Sequence, residues 1–210
     1  MNFTAVDFET ANSYRESACS IGLVKVADGV VVDRASWFIR PGAGYDEFLE
    51  WNTKIHGIYS SDVASARQWA DQLDELVAFV GADPLVAHNA SFDMAVIKAS
   101  SAAAGVVTPD FAYACSLQIA RRTYDLDSYR LPIAAEAAGF SAFAHHDALA
   151  DAEACAAIVI DAAARHAASS LESLADAAGV PITRLSAPRS PKLTRPAAAS
   201  RTPAPRPPRP

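Results

Sequence analysis

Phe3-Thr4-Ala5-Val6-Asp7-Phe8-Glu9 reads as a β-strand whose two faces differ in kind. Phe3, Ala5, Asp7 and Glu9 fall on one side, Thr4, Val6 and Phe8 on the other, because side chains alternate along an extended chain. Two further β-rich runs follow, Ala18 to Val26 and Val30 to Ile39. The Ala27-Asp28-Gly29 link between them holds a D-G pair, a hairpin signal because both residues tolerate positive φ. Helical spacing then takes over. Trp69, Leu73, Leu76, Val77 and Val80 form one apolar stripe, Ser65 and Gln68 have the spacing of a capping box, and Gly81 is a natural stop. Pro84 to Ala87 predicts a short strand, Ser91 or Phe92 to Ala104 a helix closed by Gly105, and Phe111 to Ala114 a last strand. The longest helix is expected from Asp147, as N-cap, to about His166. The order β-β-β-α-β-α-β-α predicts an α/β fold, a mixed sheet with helices packed on its faces.

Charge is divided unevenly along the chain's 210 residues. From Arg184 onward come Arg184, Arg189, Lys192, Arg195, Arg201, Arg206 and Arg209 with no acid, while the preceding body sets 11 basic residues against 24 acidic ones. Such a body is a poor non-specific duplex binder, since phosphate affinity comes from Lys and Arg displacing counterions. Contact with nucleic acid must therefore be local or bridged by metal. Residues 1–180 are expected to form one domain, and residues 186–210, rich in Pro and Arg, a disordered basic tail. That tail is either a tether to nucleic acid or an acidic partner, or an inert terminus. Cys19, Cys115 and Cys155 are odd in number and lack C-x-x-C spacing, so buried reduced thiols and a cytoplasmic setting are expected. Neither a signal-peptide pattern nor an apolar run of membrane-spanning length (~20 residues) is present, which predicts a soluble protein without a membrane partner.

Three stretches carry the chemistry. Asp7 and Glu9 point to the same side of a strand, with Cα atoms roughly 6.6–6.8 Å apart. Like charges so placed are costly unless a cation lies between them, and carboxylate oxygens suit Mg²⁺ or Mn²⁺. A solvated strand face is the plainer reading of D-x-E alone. In His88-Asn89-Ala90-Ser91-Phe92-Asp93, Asp93 opens a helix, where the dipole alone justifies an acid. His88 reads as either a substrate contact or a structural histidine, and Asn89 as either a contact or a turn former. In His146-Asp147-Ala148-Leu149-Ala150-Asp151, Asp151 lies about one turn into the long helix and His146 on the loop before it. Histidine, with an unperturbed pKa of ~6.5, suits a general base near neutral pH, and His145 is the rival for that role.

Together these motifs resemble the DEDDh 3′–5′ exonuclease superfamily, the DnaQ-like proofreading nucleases and their ribonuclease T-like relatives, over roughly residues 1–180. Asn52-Thr53-Lys54-Ile55-His56-Gly57-Ile58 also looks like the family segment before its first sheet-covering helix. The resemblance implies a ribonuclease H-like fold with a five-stranded mixed sheet, and metal ligands at Asp7, Glu9, Asp93 and Asp151, which with His146 as general base form the catalytic set. It implies two Mg²⁺ or Mn²⁺ ions per site, with release of nucleoside 5′-monophosphates from single-stranded 3′ ends, DNA ahead of RNA. Phe8, Thr10, Ala11, His88 and Asn89 are the candidate substrate contacts. A DNA polymerase or another replication or repair protein is the candidate partner. An exoribonuclease is the alternative activity, and a non-catalytic binding module the alternative class, although none of the five catalytic groups is missing. One departure stands out: Glu9-Thr10-Ala11-Asn12 replaces the E-T-T-G of many proofreading subunits.

Overall fold

The computed structural model describes residues 1–185. The expected tail therefore lies outside the described residues. Strand β1 (Phe3–Thr10) pairs antiparallel with β2 (Ala18–Ala27), which pairs antiparallel with β3 (Val30–Phe38). Asp28 and Gly29 take φ of 52° and 77°, the left-handed pair that the D-G link predicts. On the other side of β1 come β4 (Leu85–Ala87) and then β5 (Ala112–Cys115), both parallel to it. A two-residue strand, β6 (Thr183–Arg184), lies on that edge antiparallel to β5, so among the described residues the sheet has six strands in the order β3-β2-β1-β4-β5-β6. The expectation of five missed β6, which is too short to show any alternation.

Helices cover both faces. α3 (Trp69–Val80) and α4 (Ser91–Ala103) pack on Val6, Phe8, Ile21, Leu23 and Leu85. The opposite face buries Phe3, Ala5, Val24, Val26 and Val86 against α7 (Ala148–Arg165), α5 (Ser116–Thr123) and α8 (Leu171–Ala178). α6 (Leu131–Ala137), entered through Pro132, packs on the outer side of α7. The short helices α1 (Glu50–His56) and α2 (Ser60–Val63) lie over the end of β1. Two local expectations need correction. α3 begins after Gln68 without a side-chain cap, and Ser65 lies outside the helix. Its buried stripe takes in Gln72, whose amide donates to the Phe38 carbonyl at 3.0 Å, and leaves Val77 exposed.

β1 thus runs through the centre of the sheet, with apolar residues buried on both faces for most of its length. Its apolar run on the α7 face ends at Asp7 and Glu9, at the point where α7 starts.

Candidate active site

Asp7 and Glu9 continue the face that carries Phe3 and Ala5, so they point toward the N-terminal end of α7. That helix can come close because Gly22, opposite Asp7 in the β1–β2 register, has no side chain. A Cβ there would stand 2.1 Å from the Ala148 carbonyl oxygen and 2.4 Å from the Leu149 nitrogen. α7 is capped by Asp147, whose carboxylate accepts from the Ala150 N–H at 3.0 Å, and it presents Asp151 in its first turn. Ligand oxygens of Asp7, Glu9 and Asp151 lie within 4.8 Å of one another. Asp93 arrives from the first turn of α4 and is almost fully buried. Among the described residues its Oδ1 has no hydrogen-bond partner, an orphaned buried oxygen of the kind that a cation satisfies.

The electrostatics follow from this crowding. Burial, then Asp93, Glu9 and Asp151, push the Asp7 carboxyl well above the usual carboxylate range. Glu9 is pushed up to about 8 by burial and then by Asp151 and Asp93. Burial also raises Asp93, against the pull of hydrogen bonding to the backbone of Asp93 and Phe8 and of the Arg15 charge. Asp151 is raised by burial and held down in part by His145 and His146. Four acids that resist ionisation together form a site that lacks positive charge, and their donor set is all oxygen, the set hard divalent cations prefer.

His146 sits on the loop before α7 with φ of 72°, and its peptide N–H donates to Asp151 Oδ2 at 3.1 Å. Its ring stacks on His145 at 3.7 Å between centroids. Burial, then the neighbouring His145, lower the pKa of its imidazole against the opposing pull of Asp151, and the lowered value favours the neutral ring. His145 Nδ1 donates to Asp151 at 3.0 Å, a positioning contact that its bare adjacency in sequence did not reveal.

The other candidates are placed as follows. Phe8 is buried against Trp69, with ring centroids 5.9 Å apart, and faces the core. Thr10 and Ala11 are buried at the end of β1. The Thr10 carbonyl accepts from Asn52 Nδ2 at 2.9 Å and from His56 Nε2 at 3.2 Å, and the Ala11 carbonyl accepts from the Leu49 N–H. α1 is thereby fastened to the strand that carries Asp7 and Glu9. His88 donates from Nε2 to the Tyr129 carbonyl and pairs through Nδ1 with the Ser116 hydroxyl, both at 2.9 Å, which occupies both ring nitrogens. Asn89 turns the chain into α4 with φ of 69° and accepts from the Ser91 hydroxyl at 3.2 Å. Gly22 escaped the sequence reading as a site-building residue, and Asn52 and His56 entered it only as part of the family-like segment 52–58, with no role assigned. Gly22 left a signal of its own, as a lone glycine inside an apolar strand, which marks close backbone approach.

The RNase_T family model, described as "Exonuclease", matches residues 4–159, a span that contains all five groups. The chain belongs to this exonuclease family. DNA polymerase III PolC-type of Caldanaerobacter subterraneus subsp. tengcongensis is 32% identical over 161 residues, covering 75% of this chain but only 11% of that polymerase. A putative bifunctional exonuclease/endonuclease protein of Mycobacterium tuberculosis is 28% identical, over 72% of this chain and 25% of that protein. Exonuclease X in complex with 5′ overhanging duplex DNA superimposes with a TM-score of 0.68 at 25% identity, over 84% of this chain and 99% of that one. The matches place the chain in the DnaQ-like exonuclease superfamily, and its fold is ribonuclease H-like. Family members depend on divalent metal. The three cysteines are free and buried, and among the described residues no helix is long and apolar enough to cross a membrane.

Proposed function

We propose that this exonuclease removes nucleoside 5′-monophosphates one at a time from single-stranded 3′ ends, DNA ahead of RNA, with two Mg²⁺ or Mn²⁺ ions held by Asp7, Glu9, Asp93 and Asp151. The carrying observation is the convergence of Asp7, Glu9 and Asp151 within 4.8 Å, beside the unpartnered buried oxygen of Asp93. When bound, the cations supply Lewis-acid polarisation and charge neutralisation at a phosphate. The chain's own groups do the rest. Asp151 is held in place from two sides, by the His145 ring and the His146 peptide N–H. His146, partly buried and with a lowered pKa, accepts a proton from the attacking water as its oxygen bonds to phosphorus. The P–O3′ bond breaks, and the departing 3′ oxygen takes up a proton from solvent, while His146 later returns its own to solvent. His145 is the rival for the base role, since its Nδ1–H bond to Asp151 leaves Nε2 free to take a proton.

Because Exonuclease X is seen on 5′ overhanging duplex DNA, a recessed 3′ end is the second substrate to compare. Association with a polymerase is a further proposal, supported only by likeness to PolC-type relatives, of which this chain spans 11–12%. The test is product analysis on 5′-labelled DNA, RNA and recessed duplexes, with Mg²⁺, Mn²⁺ or EDTA. A ladder shortening from the 3′ end, with mononucleotides released and EDTA abolishing both, is expected. Internal fragments, or products that persist in EDTA, would overturn the reading.

A further inference from the structure

The departure from E-T-T-G after Glu9 gives Ala11-Asn12-Ser13-Tyr14-Arg15, and the turn it forms is built to hold one shape. Asn12 is buried, and its side-chain amide donates to the carbonyls of Tyr45 at 2.9 Å and Glu47 at 2.7 Å. Its Oδ1 accepts from the Tyr14 N–H at 3.0 Å. Ser17, also buried, donates from its hydroxyl to the Tyr14 carbonyl at 2.7 Å and accepts from the Asn12 N–H at 3.2 Å. From the other side, the Ser100 hydroxyl of α4 reaches the Arg15 carbonyl at 3.4 Å.

This frame sets the Arg15 guanidinium over the Phe92 ring, 4.1 Å from its centroid. Phe92 directly precedes Asp93 in the first turn of α4, so the stack seats the cation beside the turn that supplies that carboxylate. Lys25, Arg34, Lys54, Arg67, Arg165 and Arg184 are each paired with a carboxylate, whereas among the described residues Arg15, Arg40, Lys98, Arg121, Arg122 and Arg130 are not, and of these six Arg15 is the one stacked on an aromatic ring beside a site carboxylate. Among the described residues no carboxylate lies within 4.0 Å of Arg15. A guanidinium stacked on an aromatic face keeps its edge N–H groups free for a planar or tetrahedral anion, and the stack reduces the ordering cost of binding. An unpaired, pre-ordered cation beside a metal-dependent phosphodiesterase site, on an otherwise acidic body, has an evident match in a backbone phosphate.

We infer that Arg15, presented by the Asn12-pinned turn and seated on Phe92, is a substrate-positioning residue that anchors a phosphate of the nucleic-acid strand neighbouring the scissile one. This rests on the exonuclease reading above and adds the place where an acidic body grips its polyanionic substrate.

The test uses the full chain with Arg15→Ala and Arg15→Lys, labelled single-stranded oligonucleotides, and a series carrying one neutral methylphosphonate at each linkage near the 3′ end. Arg15→Ala should raise KM about tenfold while kcat changes less than about threefold, the scale of one charge-assisted contact. The slope of log binding constant against log salt should shrink by about 0.7, the amount for one phosphate contact on a single strand. Arg15→Lys keeps the charge and should keep the slope, with KM between the two. One methylphosphonate position should weaken the wild type and leave Arg15→Ala unaffected. The inference is overturned if Arg15→Ala leaves KM and salt slope unchanged. A fall in kcat and melting temperature at unchanged KM overturns it too, because that is the signature of a stack that only supports Phe92. Failure of the wild type to shorten any 3′ end would instead strike the exonuclease reading, while the salt slope still judges Arg15.

Discussion

Gly22→Ala changes one buried methyl group on a strand that carries no catalytic residue, yet it should disable the enzyme. The new Cβ would stand 2.1 Å from the Ala148 oxygen and 2.2 Å from its carbonyl carbon, both backbone atoms that no rotamer change can move. Ordinary contact begins at 3.4 Å, so α7 and β2 must separate by about 1.3 Å. α7 carries Asp151 and follows directly on His146, whereas Asp7 and Glu9 stay with the sheet. A displacement of about 1 Å at a reacting centre costs about 100-fold in rate. Overpacking of this kind costs about 1–3 kcal/mol, which lowers Tm by several degrees but leaves a domain of this size folded. Gly42→Ala is the control, since a Cβ there meets nothing within 4 Å. The assay pairs kcat/KM on a single-stranded oligonucleotide with Mn²⁺ affinity from calorimetry. Both should fall together in Gly22→Ala and stay put in Gly42→Ala. If Gly22→Ala keeps activity within threefold of wild type, the close approach of α7 to β2 does not set the site.

Without metal, melting temperature should fall as pH rises from 6.5 to 8. Glu9, pushed up to about 8, keeps a proton there that the unfolded chain, with an ordinary value of 4.5, has already shed, which amounts to about 1–2 kcal/mol over the window. The histidines with lowered values, His56, His88 and His146, gain charge on unfolding mainly below this window. Saturating Mg²⁺ should flatten the trend and raise the curve, and a metal-free profile that is flat or rising in calorimetry would contradict the assigned strain. His146→Ala should cost about 10²–10⁴-fold in kcat with Mn²⁺ still bound. His145→Ala should cost less and should show mainly as weaker metal binding, through loss of its hold on Asp151; a crippled His145→Ala beside a healthy His146→Ala would reverse their roles. Deleting residues 186–210 should weaken binding to long single strands and flatten its salt dependence, and unchanged affinity at low salt would remove the tether idea.

What the sequence displayed, and what it hid, follows the range of the forces involved. The alternation of Phe3 to Glu9, the positive-φ pair at Asp28 and Gly29, and the Asp147 cap on α7 are local, and each matches its place in the structure. The gathering of Asp7, Glu9 and Asp151 was legible only because three motifs fit a known family pattern in order. Contacts between distant segments were not legible. Gly22 against Ala148, and Asn52 and His56 on one carbonyl of Thr10, depend on how helices seat on the sheet. Local chemistry also misled at Ser65, whose capping-box spacing lost to a helix start at Trp69, a residue that packs into the core and donates to the Ser101 hydroxyl at 3.1 Å. Helices as short as α1, α2, α5, α6 and α8 offer too few turns for periodicity to rise above composition, and tertiary packing stabilises them instead.

The central claim is that carboxylates from β1, α4 and α7 together hold divalent cations. Mn²⁺ titration followed by electron paramagnetic resonance counts those ions directly in the wild type, Asp7→Asn and Asp151→Asn. Two ions per wild-type chain are expected, with fewer and weaker sites in both variants. A wild type that takes up none, or variants with its full stoichiometry and affinity, would contradict the account.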